Sequence, residues 1–81
     1  MSKSKSHIIY DLLSKIEASK SRPLSTVFAH KILRDTRKSV SEGFHFGTTF
    51  NVFFALYLLA LDDIVSAEEA NETLRAFREA P

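Results

Sequence analysis

Apolar residues recur along this chain at the spacing of a helix, three or four positions apart, in four separate stretches. Ile8, Ile9, Leu12, Leu13 and Ile16 share one face, with Asp11, Ser14, Lys15 and Glu17 on the other, which predicts a first amphipathic helix of about fourteen residues with Ser6 as its N-cap. Ser19 to Pro23 interrupts it, because Pro23 biases Arg22 away from helical geometry. A second helix starts near Ser25 with Phe28, Ala29, Ile32, Leu33, Thr36 and Val40 on its apolar side, and ends where Gly43 can turn left-handed. After a short connection, Thr48 or Thr49 can cap a third helix.

Residues 50 to 61 of that third helix carry no charge and one plainly polar side chain, Asn51. Such a segment demands cover on nearly every side and makes the helix the expected centre of the fold. It falls short of the roughly 20 apolar residues that span a bilayer, and Asp62-Asp63 closes it. Ser66-Ala67-Glu68-Glu69 reads as a capping box, with Val65 and Ala70 placed for a weak staple. Ala70, Leu74 and Phe77 then form the buried stripe of a fourth helix, where Arg75 and Glu79 stand four apart and are placed to pair.

With no strand alternation and no internal repeat, the expected architecture is all-α: an antiparallel up-and-down four-helix bundle. It forms one domain over residues 1 to 81, with residues 1 to 5 as a flexible basic N-terminus. The other three helices are short, so the cover they give the third is tight. Phe53, Phe54 and Tyr57 are the residues expected to show as an exposed apolar patch, for a partner or for a second copy of the chain.

Composition narrows the chemistry. The absence of cysteine removes disulfides and thiolate metal sites and suits a reducing cytoplasm. His7, His30 and His45 lack a metal-ligand spacing, Gly43 and Gly47 are too isolated for a phosphate loop, and the serines fall mainly in caps and linkers. No catalytic residue, cofactor site or metal site is therefore expected, and the chain reads as a binding protein, not an enzyme.

Net charge is +1, but its distribution is lopsided. Residues 1 to 38 hold nine Lys and Arg against three Asp and Glu; residues 39 to 81 hold two against seven. Lys31, Arg34, Arg37 and Lys38 give the second helix a basic face. That face has three readings: ordinary solvated surface, a nucleic-acid contact through phosphates, or peripheral contact with an anionic membrane. A third helix offering only Asn51 to a base edge weakens the nucleic-acid reading.

The sequence order Ile9-Tyr10-Asp11-Leu12-Leu13, then ILRDTRKSVSEG from Ile32 to Gly43, the apolar third helix, and DIVSAEEANETLRAF from Asp63 to Phe77 resembles the enterocin A immunity family. These small proteins protect producers of pediocin-like (class IIa) bacteriocins, and the resemblance covers about residues 8 to 78. It implies a cytoplasmic bundle without catalysis that recognises the bacteriocin on its membrane receptor, with specificity in the C-terminal half. Mapped onto this chain, the expected partner surface is Tyr57, Arg75, Arg78 and the outer side of the fourth helix. The competing expectation is a small dimeric regulator or protein-inhibiting module that self-associates through the third helix.

Overall fold

The computed structural model describes residues 3 to 81, which form four helices: α1 (Lys5–Ala18), α2 (Leu24–Ser41), α3 (Thr48–Leu61) and α4 (Ala67–Glu79). Connections of five, six and five residues turn the chain back each time, giving an up-and-down bundle with neighbours packed in sequence. The antiparallel pairing is visible in its cross-contacts. His30 of α2 meets Glu17 at the end of α1, and Arg37 meets Ser6 at its start. The ring closes between α1 and α4, where Lys15 pairs with Glu69 at 2.5 Å and the Lys5 amide donates to the Pro81 carbonyl at 3.0 Å.

One core runs through all four helices. Ile9 and Ile16 of α1, Ala29 and Leu33 of α2, Val52, Ala55, Leu56 and Leu59 of α3, and Phe77 of α4 are essentially inaccessible to solvent. Two α2 hydroxyls are buried with them. Thr36 satisfies its own by donating to the Ile32 carbonyl at 2.7 Å, and among the described residues no buried side-chain polar atom lacks a partner.

The helix ends follow local chemistry, in part differently from expectation. Ser4, not Ser6, caps α1, its hydroxyl accepting from the His7 amide at 3.1 Å; this leaves Ser6 within the first turn, free to meet Arg37. Of the expected basic N-terminus, residues 1 and 2 lie outside the described residues. Neither Thr48 nor Thr49 caps α3: Gly47, with φ +75°, occupies that position, and the Thr48 hydroxyl donates back to the His45 carbonyl. α4 begins with the full capping box, Ser66 accepting from the Glu69 amide and Glu69 accepting from the Ser66 amide. The expected Arg75–Glu79 pair does not form within 4 Å.

Two C-termini use the same left-handed stop with different residues. After α2, Gly43 takes φ +84°, and the Phe44 and Gly43 amides reach the carbonyls of Ser39 and Val40. After α3, Asp63 holds that place at φ +59°, with the Ile64 and Asp63 amides bonded to Leu59 and Ala60. Asp62, the preceding residue, does more than close the apolar run. Its carboxylate accepts from both the Ser25 hydroxyl, at 2.5 Å, and the Thr26 hydroxyl, tying the end of α3 to the start of α2.

An aspartate in the left-handed region is conformationally costly, and its charge sits at the negative end of the α3 dipole, so Asp63→Gly is expected to raise stability by about 1 kcal/mol. Urea unfolding measures this, and a loss of stability would mean that the Asp63 side chain makes a compensating contact. For Asp62, the Ser25 and then the Thr26 hydroxyl hold the carboxyl below its ordinary value of 3.8. A depressed folded-state value stabilises above the unfolded value and ceases to do so as pH falls through the folded one. Melting curves from pH 5 down to pH 2 should therefore flatten in Asp62→Asn relative to the parent chain.

Candidate functional site

The apolar character of α3 divides into two opposed stripes. Val52, Ala55, Leu56 and Leu59, with Thr48, face the core, whereas Phe50, Phe53, Phe54, Tyr57 and Leu61 face solvent. At about 100° per residue, the centres of the two sets lie about 170° apart around the helix. The outward set runs i, i+3, i+4, i+7, i+11, the spacing of a helix face made to be covered. It remains 46% to 71% exposed along its length.

The face extends beyond α3. Phe46, in the connection from α2, is 88% exposed, and the Phe50 and Phe53 rings stand 6.5 Å apart at a tilt of 50°. Phe28 of α2 is also half exposed, contrary to its expected place in the core; Thr26, two residues earlier, is buried in that layer instead. Each aromatic side chain carries about 150–250 Å². Phe46, Phe50, Phe53, Phe54, Tyr57 and Leu61 together leave on the order of 700 Å² uncovered, above the roughly 300–600 Å² of the largest patch on a typical monomer.

On one side, the face falls into a shallow groove between α3 and α4. Leu56, Ala60, Ala70 and Leu74 line its depth, Phe53, Tyr57 and Asn71 its edges, around a cavity of about 150 Å³. The alanines leave this space by carrying so little side chain. Tyr57 is thus placed at the groove, but Arg75 and Arg78 do not line it. Arg78 continues the Leu74 stripe one turn further along α4, and both arginines are exposed with no carboxylate within 4 Å among the described residues.

The basic residues of α2 separate into two settings. Lys31 pairs with Asp35 at 3.7 Å, one turn along the same helix. Arg34, Arg37 and Lys38 instead line a cleft of about 400 Å³ between α1 and α2, together with Ser6, Leu13 and Ser41. Arg37 is held there from two directions: its Nε donates to the Ser6 hydroxyl at 3.2 Å, and its guanidinium lies 5.0 Å from the centre of the Tyr10 ring. Ser6 was invisible as a member of this cleft in the sequence, because thirty positions separate it from Arg37.

Among the described residues no three His, Asp or Glu side chains approach one another closely enough to share a metal ion. The two carboxyls held below their ordinary values are structural: Asp62 by Ser25 and Thr26, and Glu69 by the Lys15 ammonium and then by the Ser66 amide of the capping box. Two of the three histidines stand beside carboxylates, His7 beside Asp11 at 3.5 Å and His30 beside Glu17 at 3.2 Å.

If the outward stripe is surface and the inward stripe core, neighbouring substitutions must behave oppositely. Phe54→Ser should cost at most about 1 kcal/mol, as expected of a half-exposed side chain. Leu56→Ala, two residues away and 2% exposed, should cost about 2–5 kcal/mol. Denaturant unfolding of the two variants checks the assignment, and equal losses would place Phe54 in the core. Comparison of the chain with protein-family models, with curated proteins and with solved structures finds no match.

Proposed function

We propose that this chain works by binding a protein partner through the outward face of α3, and that the binding gives its producer protection against a class IIa bacteriocin. The observation that carries the first part is the aromatic stripe Phe50, Phe53, Phe54, Tyr57 and Leu61, left exposed at helical spacing beside an alanine-lined groove. A partner helix docks into such a surface with side chains three and four apart. The uncovered area is comparable with the roughly 800 Å² that each side contributes to a stable protein interface.

The second part draws on the sequence resemblance to the enterocin A immunity family. In that reading the partner is the bacteriocin bound to its membrane receptor, approached from the cytoplasmic side. Arg75 and Arg78, exposed along α4, supply positive charge at the rim, where it steers encounter and selects partners more than it adds affinity.

Self-association is the second reading, favoured by the same stripe: a face that is apolar and uncharged along its whole length is self-complementary under a two-fold axis. One set of strains and one centrifuge run separate the two. Expression in a sensitive Gram-positive host should raise tolerance to one class IIa bacteriocin, and Phe54→Glu should abolish that tolerance while Glu72→Gln leaves it intact. Unchanged killing across a panel of these bacteriocins rejects the protective role. Sedimentation at high micromolar concentration should give a monomer if the face awaits a different protein, and a dimer split by Phe54→Glu if it awaits its own copy.

A further inference from the structure

We propose that the cleft between α1, from Ser6 to Leu13, and the second half of α2 is a binding site for a phosphate-type oxyanion. It stands apart from the α3 face and does not depend on what that face binds. Three cationic side chains, Arg34, Arg37 and Lys38, line it with Ser6, Leu13 and Ser41, and no carboxylate shares the lining. Cations at i, i+3 and i+4 on one helix repel each other, and an anion between them turns that repulsion into attraction.

The distribution of carboxylates makes this an uncompensated cluster. Only three acids occur in residues 1 to 38, and each is engaged elsewhere: Asp11 with Lys3 and His7, Glu17 with His30, and Asp35 with Lys31. Glu42, one turn beyond Lys38, does not line the cleft and reaches no cation within 4 Å among the described residues.

The donors are also partly arranged in advance. Arg37 is fixed by Ser6 and by the Tyr10 ring, so that Nε alone is used and both terminal nitrogens keep their protons for a ligand. Ser6 accepts the Arg37 bond, which leaves its own hydroxyl proton to donate, whereas Ser41 has already given its proton to the Lys38 carbonyl at 2.8 Å. Ser6 also lies in the first turn of α1, where the helix dipole favours negative charge. Two guanidinium groups, an ammonium and a hydroxyl match the several oxygens of a phosphate better than the two of a carboxylate. That phosphate can be free or carried on a lipid headgroup.

Amide-resolved NMR titration of the whole chain with inorganic phosphate and pyrophosphate at low salt tests the site. Shifts should concentrate at Ser6, Arg34, Arg37 and Lys38, be largest for pyrophosphate, and weaken as salt is raised. Affinity should fall at least tenfold in Arg34→Gln/Arg37→Gln and hold within twofold in Arg75→Gln/Arg78→Gln, which removes equal charge from α4. Pelleting with phosphatidic acid vesicles, but not with phosphatidylcholine vesicles, and loss of pelleting in the first variant, would assign the phosphate to a lipid. The proposal is overturned if phosphate and pyrophosphate leave the cleft amides unmoved, if both charge-matched variants lose affinity equally, or if only duplex DNA or RNA binds. Mapping on the parent chain decides the first point even where a variant fails to fold. Because the readout never involves the α3 face, failure here leaves the protein-binding proposal standing, and the converse also holds.

Discussion

The structure turns on one constraint: α3 is apolar on both sides, and the three other helices pack on only one of them. A chain of 81 residues has a high ratio of surface to interior, so its core must draw on nearly every apolar stripe available. α1, α2 and α4 each bring one stripe to a single core, in which α2 and α4 pack directly against α3 and α1 closes the far side against α2 and α4. Among the described residues no element covers the second side of α3, which is where the aromatic side chains stand.

Much of this was legible in the sequence. Helical spacing in four stretches, Pro23, Gly43 and the Ser66–Glu69 box define an all-helical bundle, and its four helices appear near the expected boundaries. Legibility stopped where the deciding contact was distant or where two patterns overlapped. In α3 the inward and outward stripes are both apolar, so uniform hydrophobicity hides the periodicity: Phe53, Phe54 and Tyr57 are exposed as expected, but the full spacing 50, 53, 54, 57, 61 emerges only once the inward set is known. Phe28 misled for a related reason: size and hydrophobicity argued for burial, whereas the position facing inward belongs to Thr26. That threonine is tolerated in the core layer because its hydroxyl has Asp62 to donate to.

The Asp62 contact also shows how a small bundle limits the ways its helices can slide. Apolar packing between α2 and α3 is permissive of register, since similar side chains recur every turn. Hydrogen bonds from two adjacent hydroxyls to one carboxylate are not permissive: a shift by one turn would part them and leave the partly buried carboxylate to water alone. Lys15 with Glu69, and the Lys5 amide with the Pro81 carbonyl, act likewise at the two ends of the α1–α4 seam. Polar contacts thus set the register of a core whose stability comes chiefly from burial.

This division of labour explains why the two candidate surfaces can coexist on so small a molecule. The aromatic face belongs to α3, whose inward side is anchored by the core. The basic cleft lies on the seam between α1 and α2, where Ser6, Tyr10 and Arg37 interlock. Neither surface needs the other's side chains to hold its shape, so a change in one leaves the other's geometry in place. A single rigid bundle can therefore present an apolar surface suited to a helix and a cationic pocket suited to a small anion.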